Sequence, residues 1–228
     1  MENKIKKTKP GLGPNHHLIK EYKNSLTSLN TIQWEASIGL LLGDVSIRTR
    51  NNRKSYLLQF EWSDKYKEYI DHIHNLFDEW ILSPPHRKVR INCNNNMVIT
   101  WGFQTFSHNA FNPLGDLFLQ SGKKGIAENL IKNFLTARGL AYWFMDDGGK
   151  LDYNVNSKNK SVVLNTHSFT DIEVITMCNE LAKKFNLDCD TRNNKGRKII
   201  VINHSSYSQF IKLIDPFLIS QMRKKLPK

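Results

Sequence analysis

Cysteine is scarce in this chain. Cys93, Cys178 and Cys189 are three among 228 residues, widely spaced and odd in number. No C-x-x-C pair occurs, which argues against a zinc site or a disulfide framework. The three are expected to be small core residues in a reducing compartment. Long apolar runs are missing too. None approaches the ~18 residues that a membrane-spanning helix needs. The opening MENKIKKTKPGLGPNHH has no apolar stretch of secretory type, lacks arginine and contains Glu2. It therefore reads neither as a secretory signal nor as a mitochondrial presequence, but as a solvated basic arm. His16-His17 has no partner at ligand spacing and reads as surface. Acids are in deficit, with 21 Asp plus Glu against 33 Lys plus Arg, a formal net charge of +12. A surplus of that size points to a polyanionic partner, nucleic acid or an anionic membrane.

What is present is 39% hydrophobic residues, enough for one substantial core or two smaller ones. One stretch, LAYWFMDDGGK at residues 140–150, poses a physical problem. Leu140 to Met145 is apolar nearly all round, so it should be a buried helix. Gly148-Gly149 is a stop signal. Asp146 and Asp147 therefore fall in the last turn, where the helix dipole is already negative and prefers cations. A lysine, a bound metal ion or both must compensate there. The plainer alternative is a structural cap, with the acid pair satisfied by Lys150 or nearby amides.

The pattern has a companion. ASIGLLLGDVS, residues 36–46, is another apolar helix running into an acid, Asp44, with Ala36, Gly39 and Gly43 along one face. Small residues on a face let a second helix backbone come close. Asp44 and Asp147 stand 103 positions apart, nearly half the chain, which suggests two copies of one unit. Each acid is followed by a strand pair, a helix, a second strand pair and a final helix. In the first copy Ile70, Ile73, Leu76-Phe77 and Trp80 keep helical spacing. In the second, Ile172, Ile175, Cys178-Asn179 and Ala182 are expected to do so less cleanly. Each copy closes on a lysine pair, Lys123-Lys124 and Lys224-Lys225. The expected organisation is a basic arm at 1–15, repeats at 16–124 and 133–228, and a linker at 125–132.

The strands alternate. Tyr56, Leu58, Phe60 and Trp62 oppose Gln59 and Glu61; Val89, Ile91 and Cys93 oppose Lys88, Arg90 and Asn92; Ser46, Arg48 and Arg50 share a face. In the second copy Arg197 and Asn203 share a face, as do Asn165 and His167. This is the pattern of antiparallel sheets with one apolar and one polar face. The polar faces carry planar groups suited to base edges, and a two-stranded ribbon fits the major groove. Asp152, Tyr153, Lys195 and Lys198 complete the expected DNA contacts.

If a pseudo-twofold axis relates the copies, the glycine-faced helices meet on it and bring Asp44 and Asp147 together. Two carboxylates about 5 Å apart repel by roughly 3 kcal/mol at an effective dielectric of 20. A divalent cation reverses that sign, and carboxylates without His or Cys favour Mg²⁺. Acids, a hard cation and lysines in a positive cleft suit phosphodiester hydrolysis.

Aligned on the acids, Ser37–Val45 and Leu140–Gly148 resemble the paired nine-residue motifs of the LAGLIDADG homing endonucleases, in their double-motif single-chain form. QFEW, LSPPH, VITWG and KLP extend the resemblance over nearly the whole chain. It implies an α+β fold of two pseudo-symmetric αββαββα repeats, each a four-stranded antiparallel saddle sheet backed by helices, joined at the paired motif helices. It implies double-stranded DNA as substrate, cut in both strands across the minor groove with short 3′ overhangs, to initiate intron homing. Mg²⁺ is the implied cofactor, with Mn²⁺ expected to substitute. Asp44 and Asp147 inherit the metal-binding acid position, Gly43 and Asp146 complete the metal site through backbone or outer shell, and Lys124 and Lys225 match the active-site lysines. Tyr142, Asp146 and Val45 depart from the small residues usual at their motif positions, so the two halves are expected to be unequal and the DNA site non-palindromic. The alternative within the family is an RNA maturase that assists splicing of its own intron, with intron RNA as partner. Two motifs in one chain imply a monomer, and the resemblance implies residence in the mitochondrion.

Overall fold

The computed structural model describes residues 16–49, 53–120, 122–152, 154 and 157–227. The arm expected at 1–15, and with it Arg50 and Tyr153, lies outside the described residues. Packing divides the chain into two compact units: one takes the described residues up to Gln33 plus Ser46–Gly115, the other Trp34–Val45 plus Asp116–Lys228. The first motif helix therefore packs with the second half of the chain. Among the described residues no helix is long and apolar enough to cross a membrane.

In the first unit, α1 (His17–Ser25) starts where the His16 side chain accepts a hydrogen bond from the Leu18 amide, 3.3 Å. Helix α2 (Thr31–Leu42) begins with a reciprocal cap. Asn30 Oδ1 accepts from the Gln33 amide at 2.9 Å and Gln33 Oε1 from the Asn30 amide at 3.1 Å, so two orphan donors of the first turn are satisfied. Strands β1 (Ser46–Thr49) and β2 (Tyr56–Ser63), then α3 (Lys67–Leu76), then β3 (His86–Ile91) and β4 (Met97–Gln104) follow. The antiparallel sheet has the order β1-β2-β4-β3. The alternation of β2 is realised: Tyr56, Leu58, Phe60 and Trp62 are buried, while Gln59 and Glu61 are only half-buried. Phe60 stacks on Phe103 at 4.7 Å and Trp62 meets Tyr69 of α3 edge-on at 5.1 Å, so an aromatic layer joins sheet to helix.

The expectation of a covered apolar face fails along β3. Val89 is 52% and Ile91 71% exposed, and Cys93 beyond them is exposed. β3 is the edge strand. Its end pairs Ile91 with Met97, itself 67% exposed, beyond the cover of any described residue.

Helix α4 (Asn112–Phe118) leads into the second unit, where β5 (Leu119–Gln120) and β6 (Lys123–Lys124) form a short hairpin. Helix α5 (Leu130–Phe134) begins inside the segment expected as a linker and buries Leu130 and Ile131. Then come α6 (Ala137–Asp147), β7 (Gly148–Lys150), β8 (Val162–Leu164), α7 (Asp171–Phe185), β9 (Cys189–Asn194), β10 (Arg197–Ile202) and α8 (Tyr207–Ile214). The antiparallel order β7-β8-β10-β9 repeats that of the first sheet. The β9–β10 hairpin turns through Lys195 and Gly196, both at positive φ (52° and 79°), the geometry of a tight two-residue turn. The fold is thus the expected pair of four-stranded antiparallel sheets backed by helices.

Helix α7 corrects the expected register. Thr170 and Glu173 form a capping box, and the buried face is Val174, Met177, Cys178 and Leu181, spaced i, i+3, i+4, i+7. Ile172 is 78% exposed and Ile175 lies on the open side. A second correction concerns the outward face of this sheet. Val163, Ile199 and Val201 are buried there in a small cluster sealed by Leu151, so that face is not wholly polar.

Candidate active site

Two helices touch backbone to backbone in the second unit. A Cβ on Gly39 of α2 would lie 1.9 Å from the Gly139 carbonyl oxygen and 3.0 Å from the Trp143 nitrogen. A Cβ on Gly139 would lie 3.0 Å from the Glu35 carbonyl oxygen. No other side chain fits between them. The approach is flanked by an ion pair from Arg138 Nε to Glu35 Oε2, 3.0 Å, and Thr136 caps α6 by accepting from the Gly139 amide at 3.2 Å. One turn further, equivalent motif positions face each other: a Cβ on Gly43 would lie 2.5 Å from Asp146 Cβ and 2.7 Å from its Oδ2.

The acids end these helices. Asp44 follows the last turn of α2 and is exposed; Asp147 closes α6 and is half-buried; Asp146 is buried at 8% exposure. The wrong-end problem is met by lysine. Lys124 Nζ donates to the Gly43 carbonyl at 3.1 Å, and Lys225 Nζ to the Met145 and Asp146 carbonyls at 2.6 Å each. Each motif helix thus has an ammonium on its last carbonyls, where the dipole is negative. The Asp147 carbonyl accepts from both the backbone amide (3.0 Å) and the side-chain amide (2.8 Å) of Asn165.

Electrostatics tie the groups together. Burial first, and then the neighbouring charge of Asp44, push the Asp147 carboxyl up to about 7, while Lys225 and Lys124 pull it back. Desolvation of the ammonium lowers Lys124, against the opposing pull of Asp147, Asp44 and Asp146. Much of the Lys124 side chain is nonetheless exposed, so it is the amino tip that is enclosed. Burial raises the Tyr142 hydroxyl to about 12, consistent with a motif position filled by a bulky inert ring.

Among the described residues no group of three or more His, Cys, Asp or Glu is placed to hold a metal ion. The donors here are instead two carboxylates and the backbone carbonyls of Gly43 and Asp146, all hard oxygens. That set fits a hard divalent cation that keeps several of its waters, and two mutually repelling carboxylates are what such a cation stabilises.

The structure therefore brings together Asp44, Asp147, Gly43, Asp146, Lys124 and Lys225. The other candidates lie on the sheets. In the first unit Arg48 and Arg90 are exposed. Lys88 instead pairs with Glu61 at 2.6 Å, Glu61 also accepts from Thr100 at 2.8 Å, and Gln59 sits beside them on the central strand β2. Asn92 shapes the β3–β4 turn by accepting from the Asn94 and Asn96 amides. In the second unit Arg197 and Lys195 are exposed at the hairpin end and Lys198 is half-buried. The Asp152 side chain accepts from the Asn154 amide at 2.9 Å, which makes it a turn former. Asn165 holds Asp147. Arg192 is also exposed, on β9 directly across from Ile199.

The two touching helices each end in an acid and each carry a lysine on their terminal carbonyls. The sequence model of the LAGLIDADG DNA endonuclease family matches residues 34–210, and the chain belongs to that family. Among known proteins it is 50% identical over 221 residues to the "probable intron-encoded endonuclease 1" of Wickerhamomyces canadensis, covering 97% of this chain and 95% of that protein. It is 29% identical over 198 residues to the cytochrome b mRNA maturase bI2 of Debaryomyces hansenii, covering 84% of this chain and 72% of the relative. Among solved structures, the homing endonuclease I-WcaI bound to its DNA recognition sequence superposes with a TM-score of 0.90 at 49% identity, covering 95% of each chain.

Proposed function

We propose that the chain is a monomeric, site-specific homing endonuclease that hydrolyses one phosphodiester in each strand of double-stranded DNA across the minor groove, leaves short 3′ overhangs and so initiates intron homing. One observation carries this reading: acids at matching motif positions reach one place on two touching helices, each with a lysine on its terminal carbonyls. Asp44 and Asp147, with the carbonyls of Gly43 and Asp146, would hold Mg²⁺, and Mn²⁺ would substitute. When bound, the metal supplies an activated water and Lewis-acid stabilisation of the leaving oxygen. The protein's own groups do the rest. Asp44 and Asp147, at the ends of the touching helices, would fix the position of that cation. Lys124 and Lys225 set positive charge beside the scissile phosphate and can orient water. Arg48, Arg90 and Arg197 on the sheets would bind phosphate and base edges, giving affinity that falls with salt. The likeness to an intron-encoded endonuclease supports the DNA substrate, and the likeness to a cytochrome b mRNA maturase supports residence in the mitochondrion.

The test is digestion of the intron-free allele by purified protein in Mg²⁺, Ca²⁺ and EDTA. A single double-strand break in Mg²⁺ alone is expected, and mapping its ends gives the site and the overhang. Tight DNA binding with no cut in any lane would refute the nuclease. The likeness to a maturase would then make retention of intron RNA on a filter the next assay.

A further inference from the structure

We propose that Asp146 is a positioning residue for Asp44: its carboxyl group crosses from one motif helix to the other and holds the backbone N–H of the acid there. The proposal rests on the reading of Asp44 as an active-site acid and assigns a distinct role to the acid beside Asp147.

A buried carboxyl group is costly unless it is hydrogen-bonded. Asp146 is 8% exposed, and its Oδ2 accepts from the Asp44 amide at 3.2 Å. The room for it comes from the other helix. Gly43 occupies the equivalent motif position, and any Cβ there would lie 2.7 Å from that same Oδ2. A glycine in one motif and an aspartate in the other are therefore a matched pair.

The backbone around Asp44 shows why a clamp matters. The Gly43 amide still donates into its own helix, to the Gly39 and Leu40 carbonyls, and the Val45 amide reaches back to Leu40 at 3.0 Å. Between them the Asp44 amide points to the neighbouring helix. Asp44 is exposed. Its backbone is held from the second helix by Asp146 and from β6 by Lys124 on the Gly43 carbonyl. Asp147 is anchored differently, by Asn165 of its own repeat on its carbonyl. The two acids have non-equivalent supports, and only one depends on Asp146. Loss of the Asp146 carboxyl should then affect the half of the reaction that uses Asp44 and spare the other half.

Asp146→Ala and Asp146→Asn separate this from a general packing role, since asparagine retains the acceptor and the shape. In the metal-free, DNA-free protein, amide exchange read by NMR should speed up at Asp44 by about tenfold or more in the alanine variant, the loss of a hydrogen bond to a charged group. Exchange at Asn165 should stay unchanged, and Asp146→Asn should resemble the wild type at both. On a duplex labelled on each strand, Asp146→Ala should slow one strand about tenfold relative to the other, so that nicked duplex accumulates, and Asp146→Asn should restore the balance. If the alanine variant does not fold, Asp146→Ser, too short to reach, takes its place. Unchanged Asp44 exchange, equal slowing of both strands, or an asparagine variant as unbalanced as alanine would overturn the proposal. A wild type that cuts neither strand would instead overturn the nuclease reading.

Discussion

The helix contact at Gly39 offers a quantitative test of the packing. In Gly39→Ala the new Cβ would stand 1.9 Å from the Gly139 carbonyl oxygen and 2.8 Å from its carbon. Real Cβ atoms essentially never come closer than 3.0 Å, so the helices must part by about 1 Å at their closest point. The obstruction is backbone and cannot rotate away. Overpacking of this kind costs about 1–3 kcal/mol and sometimes more. Alanine gains up to about 1 kcal/mol over glycine in helix propensity. With a rigid obstruction the upper end applies, and after the propensity gain we expect a net loss of about 2 kcal/mol, or about 4–8 °C in Tm at this chain length. Gly139→Ala is the internal control. Its Cβ meets Glu35 O and Leu135 Cδ1 at 3.0 Å, and Gly39 N only at 3.7 Å. Small shifts and the propensity gain should leave it within about 1 kcal/mol of the wild type. Urea unfolding of the three proteins measures both values. The helix contact described here is refuted if Gly39→Ala lies within 1 kcal/mol of the wild type, or if Gly139→Ala is the more damaging change.

Three other expectations concern different parts of the molecule. Gln33 is 2% exposed and bonds to the Leu76 carbonyl, Glu79 Oε1 and Trp80 Nε1, so Gln33→Leu should destabilise by about 2–3 kcal/mol through the buried partners it strands; a urea midpoint equal to the wild type's would count against that network. Asp147 sits at about 7 in the fold against an ordinary 3.8, raised first by burial and then by Asp44, so its contribution to stability is full below about pH 4 and is lost as pH rises through 7; urea unfolding in EDTA should show that decline, and Asp147→Asn should flatten it, whereas an unaltered slope in the variant would contradict the raised Asp147 carboxyl. Arg90→Ala, at an exposed edge-strand position, should weaken DNA binding and reduce the log–log salt slope by about 0.9 if Arg90 touches one phosphate, and an unchanged slope would remove it from the interface.

Much of this architecture could be read from the chain. Two apolar helices ending in acids, each followed by the same order of strands and helices, foretold two αββαββα repeats, because both periodicities, 3.6 and 2, are written locally. The need for positive charge at the helix ends was also legible, because the dipole rule does not depend on the fold; Lys124 and Lys225 meet it. What could not be read depends on what covers a face. Val89 and Ile91 alternate like covered residues but lie on an edge strand, where the described residues leave them 52% and 71% exposed. The face of α7 was misassigned because Ile172 and Ile175 are more hydrophobic than Cys178, yet Val174, Met177, Cys178 and Leu181 form the better helical stripe. Asn165 looked like a base reader, and its tie to Asp147 exists only once β8 runs beside the end of α6. The pairing of the two motif helices was legible in the small residues along the first; that packing places the first motif helix in the unit holding the second was not.

Single-turnover cleavage of a duplex carrying the mapped site, in Mg²⁺, by wild type, Asp44→Asn and Asp147→Asn tests the central claim most directly, with DNA binding measured in parallel in Ca²⁺. Each variant should lose about a hundredfold or more in cleavage rate while binding DNA as the wild type does. A variant that keeps the wild-type rate at either position would contradict the assignment of these two acids as the active centre.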